Sequence, residues 1–387
     1  MLEIERALAA REIEVTTVTT DDDGAGRTLS FPCWRPIEGV AATRWYFRRN
    51  TVFYKVSLSL ARWLKTNIRS FDIVHAHGLF SFAPVAAAFA ARRTGIPYVL
   101  RPYGVLDRYG MTNRRPWLKK LSFSLIERRL IESASAVHFT SRLEQLEAEV
   151  LGMRCNSVII PLGIGFDTWA QIQRDCAKKP GSRIKLLFLS RIDPKKNVEG
   201  LLRALSLVAK RRQDFVLCIA GNGDADYVDG LKSLAGELGL AHLVQWHGFV
   251  DGEEKQAVLA KADAFVLPSF SENFGIAVVE GLAAGLPCIV SDNVAVHDDI
   301  SLAAAGIVVG TDPGSIAVGI ERFLNDRGSH LTMSRAAREL AAKKFSSETM
   351  GQRLEALYRD CLRTKPASAV SLQPELVKTA PVSRWVK

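Results

Sequence analysis

From end to end the chain alternates between short β-rich runs and longer amphipathic stretches, and this alternation constrains its fold more than any other feature. In the first half, candidate strands at residues 14–19, 73–75, 98–101, 136–140 and 158–161 are separated by helical periodicity at 53–66, 83–94, 117–133 and 142–151. In the second half, candidate strands at 185–190, 216–220, 244–249, 264–268, 288–291 and 306–309 are interleaved with helical stretches at 197–212, 226–238, 253–261 and 275–284. Strands spaced by helices of this length predict an α/β fold with parallel sheets covered on both faces. The run Leu186-Leu187-Phe188-Leu189 is apolar throughout, as a strand buried on both sides requires. At 387 residues and 48% hydrophobic content, the chain is long enough for two such domains. The expected division is an N-terminal domain over 1–165, a linker over 166–183, a C-terminal domain over 184–345, a last helix over 346–364 and an unstructured tail over 365–387. The linker assignment rests on Lys178-Lys179-Pro180-Gly181-Ser182, which breaks the periodicity. The tail is rich in Pro, Ser, Ala and Val without a helical pattern.

Composition narrows the setting. The six cysteines are scattered, with no C-x-x-C and no Cys/His cluster, which argues against a disulfide framework or a zinc site and for a reducing compartment. The start, Met1-Leu2-Glu3-Ile4-Glu5-Arg6, is charged and does not read as a secretory signal. The longest apolar stretch, about 79–91, contains Pro84 and falls short of the roughly 20 residues that span a bilayer. A cytoplasmic, soluble protein is the expectation. The net charge of +10 is uneven: residues 1–165 carry a balance of +8 and the remainder +2. The basic residues of the first half are either solvated helix faces or a surface that meets anionic lipid or a diphosphate-linked acceptor. No nucleic-acid reader motif accompanies the charge, so nucleic acid is not an expected partner.

Four motifs of the second half stand where strands give way to loops. The longest is Pro268-Ser269-Phe270-Ser271-Glu272-Asn273-Phe274-Gly275-Ile276-Ala277-Val278-Val279-Glu280. An apolar strand ends at Pro268, a polar loop follows, and a helix starts near Gly275 and stops at Gly285, just before Pro287. In an open α/β sheet, ligands bind beyond the carboxyl ends of the strands. Backbone N–H groups around 273–276 would then point into that crevice at the positive end of a helix dipole, which suits a phosphate. Glu272 in the loop and Glu280, about two turns into the helix, can hold different hydroxyls of one extended ligand.

The second motif follows the strand at 185–190, where Arg191 and Lys196 flank the turn Asp193-Pro194. A guanidinium grips phosphate in a bidentate way and an ammonium acts as a point charge, so the two can neutralise a diphosphate. Lys195 competes with Lys196 for the second role, and a plain basic turn is the alternative to both. Third is Gly221-Asn222-Gly223, whose glycines would let backbone approach a ligand closely. Asp226 stands where a dinucleotide fingerprint needs its third glycine, which disfavours NAD. The D-x-D patterns at Asp224-Ala225-Asp226 and Asp21-Asp22-Asp23 are too short to assign a metal, and none is expected. Fourth is Trp246-His247-Gly248-Phe249-Val250, where Phe249 either offers an apolar wall to a nucleobase or simply packs. In the first half, Asp72-Ile73-Val74-His75-Ala76-His77-Gly78 puts two histidines on one side of a strand. With no third metal ligand evident, His77 is a candidate for substrate contact, a structural role being the alternative.

Together these residues resemble family 4 of the retaining glycosyltransferases, over roughly residues 2 to 362. The resemblance implies the GT-B fold, two Rossmann-like parallel-sheet domains facing a central cleft. It implies that Glu280 holds ribose hydroxyls, Glu272 contacts the transferred sugar, Arg191 and Lys196 hold the diphosphate, and His77 approaches the sugar ring from the other domain. The donor-binding set is completed by Gly221, Gly223, Phe249, Asn273, Phe274, Gly275 and Ile276, and the catalytic set is Glu272, His77, Arg191 and Lys196. Pro161-Leu162-Gly163 resembles the family's Pro-Asn-Gly turn, with Leu in place of Asn. Family members open with a strand and a glycine-rich loop before the first helix, whereas Met1 lies within that helix here, so the first strand of the N-terminal domain is expected to be missing. The implied function is retaining transfer of a hexosyl unit from a UDP- or GDP-sugar to a glycan or polyprenyl-linked acceptor in surface polysaccharide biosynthesis (exopolysaccharide or lipopolysaccharide). No cofactor beyond the donor is expected, and the implied place is the cytoplasm, at the inner face of the plasma membrane. Two rivals are a sugar-nucleotide epimerase of similar architecture and a truncated, non-catalytic nucleotide- or glycan-binding protein.

Overall fold

A computed structural model describes residues 1–24, 26–106, 111, 116–170, 172, 182–364 and 384–386. They form two compact units, Met1–Pro161 with Ser347–Lys387, and Leu162–Ser346. The N-terminal unit contains strands β1 (Glu14–Thr20), β2 (Pro36–Glu38), β3 (Thr43–Phe47), β4 (Ile73–His77), β5 (Tyr98–Arg101), β6 (Ala136–Phe139) and β7 (Ser157–Ile159). The C-terminal unit contains β8 (Ile184–Leu189), β9 (Phe215–Ala220), β10 (Val244–Gly248), β11 (Ala264–Leu267), β12 (Cys288–Ser291) and β13 (Gly306–Val309). A last short strand, β14 (Arg384–Val386), returns to the N-terminal unit.

The N-terminal sheet runs β2-β3-β1-β14-β4-β5-β6-β7, parallel except for the β2–β3 pair. Strands β5 and β6 are buried at every position, and helices cover them. The helix Leu58–Asn67 starts where the Ser57 hydroxyl accepts from Leu60 N at 3.3 Å, a side-chain N-cap. The sequence expectation began this helix at 53, but Tyr54 and Lys55 adopt φ of +55° and +52°, outside helical space. The helix Phe82–Thr94 stops at Gly95, which takes φ +73° as a left-handed cap. The helical stretch expected over 117–133 is interrupted by a π-helical turn at Phe123–Glu127. There the buried Glu127 carboxylate accepts from Ser122 Oγ at 2.9 and 2.8 Å and from Tyr54 OH at 3.2 Å.

The final helix, Ser347–Arg363, packs in the N-terminal unit against the helix Leu2–Ala9. Gly351 permits that approach, because a Cβ there would stand 2.9 Å from the Ala7 carbonyl oxygen. Arg11 pairs with Glu355 across the same contact. The tail, expected to be unstructured, contains β14, which pairs in parallel with both β1 and β4 and fills the position between them; residues 365–383 and 387 lie outside the described residues.

The C-terminal sheet is wholly parallel, in the order β10-β9-β8-β11-β12-β13. The chain winds outward from β8 to β10, then restarts beside β8 at β11 and winds the other way. The switch point therefore lies between β8 and β11, and a ligand crevice is expected beyond their carboxyl ends. The core follows from apolar patterning. The helix Val198–Ala209 buries Val198, Leu201, Leu202, Leu205 and Val208 completely, a stripe at helical spacing. Within the stretch expected as linker, Phe166–Ala170 is a helix belonging to the C-terminal unit; residues 171 and 173–181 lie outside the described residues.

Candidate functional site

The two loops at the switch point are built by short-range bonding. After β8, Ser190 N donates to Ala220 O at 3.2 Å and Ile192 N to Asn222 O at 2.7 Å. The Asp193 carboxylate accepts from Lys195 N at 3.0 Å and starts the 3-10 turn Pro194–Lys196. Asn197, buried and at φ +59°, accepts from Gly200 N at 3.2 Å and donates its amide to Pro268 O at 3.0 Å and Thr311 O at 2.8 Å. One side chain thus ties the loop after β8 to the ends of β11 and β13. Arg191 is exposed and has no carboxylate partner among the described residues, whereas Lys196 forms an ion pair with Glu272.

After β11, Phe270 N donates to Lys195 O at 2.9 Å, which joins the two loops directly. Glu272 is fixed by its own backbone: its N–H donates to Asn293 O at 3.0 Å and its carbonyl accepts from Ala295 N at 2.9 Å. Phe274 is 5% exposed and meets Phe345 edge-on at 5.8 Å, so its side chain is a core anchor. Its expected role in donor binding is through the backbone, which the burial of the side chain leaves open. Gly275 takes φ +81° as N-cap of the helix Ile276–Ala283, and no side chain caps it. Among the described residues, the N–H groups of Gly275, Ile276 and Ala277 donate to no acceptor. These uncapped amides at the positive end of the dipole favour an anion.

Glu280 faces the neighbouring helix Gly252–Lys261. Its carboxyl is buried, and burial pushes its pKa up, an effect that Lys255 opposes. Lys255 Nζ stands 2.5 Å from Oε2 as an ion pair, yet outside hydrogen-bond geometry, so Oε2 accepts no aligned hydrogen bond among the described residues. Lys255 is held in turn over the Trp169 ring, 5.1 Å from its centroid. A carboxylate oxygen has lone pairs for more than one donor, and hydroxyl groups of a ligand would complete the bonding that Lys255 begins.

The glycines after β9 are required by a close approach within the chain itself. A Cβ at Gly221, which takes φ +143°, would stand 1.8 Å from Ser190 O, and one at Gly223 would stand 2.1 Å from Ile192 O. Both glycines therefore make room for the loop after β8, which carries Arg191. Gly221 N also donates to Gly248 O at 2.6 Å, binding the ends of β9 and β10 together. Phe249 and Ile276 are 63% and 48% exposed, free of the core. Both D-x-D patterns have structural uses: Asp224 caps a helix by accepting from Tyr227 N, and Asp22 pairs with Arg49 and Lys55, with its carboxyl held below the usual range despite partial burial.

His77 belongs to the N-terminal unit, whereas every other proposed residue belongs to the C-terminal unit. Its ring stacks on His75 at 4.2 Å and lies 5.8 Å from Tyr103. His75 is occupied structurally, with Nδ1 2.6 Å from Tyr358 OH and Nε2 3.4 Å from His138 Nδ1. Beside them Arg101 is buried, its guanidinium 4.4 Å over Tyr103, and Tyr103 takes φ +62°. Glu144 secures the loop by accepting from Gly104 N at 2.6 Å and from Thr140 N at 2.7 Å.

Sequence reasoning did not single out Lys255, Trp169, Asn197 or Glu144. Only Glu144 carried a readable signal, the Ser141-x-x-Glu144 spacing of a helix capping box.

With this geometry in view, the chain can be compared with known proteins. Residues 171–340 match the model for "Glycosyl transferases group 1", and residues 1–163 match that for "Glycosyl transferase 4-like domain". The chain is 34% identical over 175 residues to the uncharacterized glycosyltransferase MJ1607 of Methanocaldococcus jannaschii, covering 45% of this chain and 44% of that one. It is 29% identical over 244 residues to a GDP-mannose-dependent alpha-(1-6)-phosphatidylinositol monomannoside mannosyltransferase of Mycolicibacterium smegmatis, covering 59% and 63%. The matched region thus spans less than two thirds of either relative. Among solved structures, sucrose-phosphate synthase from Thermosynechococcus elongatus superposes with a TM-score of 0.72 at 19% identity, covering 93% of this chain and 92% of that one.

Proposed function

The chain belongs to the family 4, group 1 glycosyltransferases, with the GT-B fold, and from that premise we propose that it transfers a hexosyl unit with retention from a UDP- or GDP-sugar. The observation that carries the reading is Glu280, a buried carboxylate that pairs with Lys255 but has no aligned donor on Oε2 among the described residues, on the helix whose uncapped N-terminus ends at the β8–β11 switch point. A nucleoside diphosphate supplies what both features lack: ribose hydroxyls for the carboxylate and an anion for the helix terminus.

In the proposed step the bond from the sugar's anomeric carbon to the diphosphate oxygen breaks, and the bond to the acceptor oxygen forms on the same face. The departing diphosphate oxygen takes the acceptor's hydroxyl proton. Arg191, Lys196 and the N–H groups at 275–277 stabilise the charge that develops on the leaving group, electrostatic catalysis by groups already in position. Lys196 begins paired with Glu272; a bound diphosphate competes for the lysine and leaves Glu272 to accept a hydroxyl of the transferred sugar. His77 is assigned to the sugar ring by resemblance to the family. The acceptor is proposed to be a glycan or a polyprenyl-linked glycan of a surface polysaccharide, assembled at a membrane face. Two features support that last point: a balance of +8 in residues 1–165 and the GDP-mannose-dependent relative, whose named acceptor is a phosphatidylinositol monomannoside.

Incubation with UDP- and GDP-hexoses and candidate acceptors, followed by NMR of the product, tests the proposal. An α-linked product from an α-configured donor is expected. A β-linked product, or an altered donor sugar formed without any acceptor, contradicts it. Glu280→Ala should raise the donor KM at least tenfold, since a hydrogen bond to a charged group contributes about 1.5–3 kcal/mol.

A further inference from the structure

A wide cavity lies in the N-terminal unit, and none of the residues assigned to the donor lines it. It is a groove of about 1000 Å³ between the helices Leu58–Asn67 and Phe82–Thr94 and the stretch from Phe123 to Leu130. Its floor is apolar, with Leu64, Ile68 and Leu130 buried beneath half-buried Val85 and Ala86. Three large apolar side chains on its walls are left in solvent: Phe89 at 56% exposure, Leu125 at 57% and Ile126 at 41%. Its rim carries Lys65, Arg69, Arg92, Arg93 and Arg129, all exposed. None of these cations pairs with a carboxylate among the described residues, and no Asp or Glu lines the groove.

A solvated helix face would account for cations, and Arg92 and Arg93 do fall in the last turn of a helix, where cations are favourable. That explanation does not reach Phe89, Leu125 and Ile126, nor Lys65, Arg69 and Arg129 on other elements. Across residues 56–97 five cations face a single carboxylate, Asp72. An apolar trough with an unneutralised cationic rim is complementary to one kind of molecule, an amphiphile with a hydrocarbon tail and an anionic head. Nearby, the helix Pro116–Ser122 buries none of its residues and leaves Trp117 and Leu121 exposed beside Lys119 and Lys120. This extends the same combination beyond the groove and matches a surface that lies on a charged interface.

We propose that this groove takes up an acyl chain of a phospholipid from an anionic membrane leaflet, with the lipid phosphate held by Arg92, Arg93 and the neighbouring rim cations. The groove's volume is at the upper end of the roughly 300–1,000 Å³ range of small-molecule pockets, and its apolar lining with a few convergent charges fits that class of site. The inference deepens the membrane-face part of the proposed function, and binding is measured without turnover, so its failure removes that placement and leaves the donor assignment standing.

The test is co-sedimentation of the full chain with vesicles of phosphatidylcholine alone and of phosphatidylcholine mixed equally with phosphatidylglycerol. The proposal expects binding to the anionic vesicles only, lost as salt rises from about 0.1 to about 1 M and the screening length falls from about 10 to about 3 Å. Near a charged leaflet each cation contributes roughly a fivefold factor, so the double variant Arg92→Gln/Arg93→Gln should bind roughly 25-fold more weakly. Phe89→Asp should also bind more weakly, and at low salt, where charge alone would still hold the protein. Both variants alter exposed side chains, and an unchanged melting temperature confirms that they fold. Equal binding to both vesicles, no binding to either, or undiminished binding by the variants overturns the proposal. So does concentration-dependent self-association that Phe89→Asp abolishes, which would make the groove a contact between copies of the chain.

Discussion

Glu280 holds its place under opposing forces. Burial raises its pKa above the usual 4.5, and Lys255 lowers it in part. Because the folded-state pKa is the higher one, the folded chain binds a proton that the unfolded chain has released. Stability from this group is therefore greatest below about 4.5 and declines as pH rises through the raised folded value. Glu280→Gln should flatten that decline when unfolding is followed across pH 4 to 8. Lys255→Ala removes the only cation paired with the carboxylate among the described residues. It should lower stability by about 1–3 kcal/mol at neutral pH and by much less below 4.5, where Glu280 is protonated. A pH-independent loss would mean that Lys255 acts through Trp169 rather than through Glu280. The two glutamates and Arg191 could be singled out because each of their two motifs follows directly on an apolar strand. Lys255 was not, because it comes from a helix that no local pattern connects to Glu280, and only the packing of two helices brings them together.

At the scale of elements, the crevice depends on loops that touch. Gly221 and Gly223 let the chain after β9 lie on the chain after β8, and Asn197 ties that loop to β11 and β13. Gly223→Ala would place a methyl group 2.1 Å from a backbone oxygen that has no flexible end to move. A cost of about 1–3 kcal/mol from overpacking is expected in denaturant unfolding, with nucleotide binding weakened alongside, because Arg191 sits on the displaced loop. Unchanged stability would show that the two loops do not need their close approach. The strands of both sheets were readable from apolar runs ending in polar or glycine-containing loops. The β2–β3 hairpin was not, since Pro36–Glu38 is too short for alternation to register. Nor was the helix Pro313–Asn325 singled out, although Asp312 followed by Pro313 is a start signal that the structure uses: the carboxylate accepts from Ser315 N. The strand β14 had no local signal; its place is set by the neighbours on either side, β1 and β4.

Over the whole molecule, strand order explains why residues far apart in sequence converge. The order β10-β9-β8-β11-β12-β13 makes neighbours of the loops at 190–197 and 268–276, although some seventy residues separate them. Alternating patterning was enough to expect parallel sheets, but not the order of their strands, which depends on which edges pair after collapse. The GT-B fold and the family then follow from both halves of the chain together. The central claim is that the C-terminal unit binds a nucleoside diphosphate through Glu280, Arg191, Lys196 and the helix terminus at Gly275. Thermal unfolding of the full chain with UDP, GDP, ADP and NAD added separately tests it most directly. A ligand at about 100 times its Kd should stabilise the folded state by about 2.7 kcal/mol. A rise with UDP or GDP that disappears in Glu280→Ala is the expected result; no rise with either, a rise with NAD instead, or a rise that survives in Glu280→Ala would contradict the assignment.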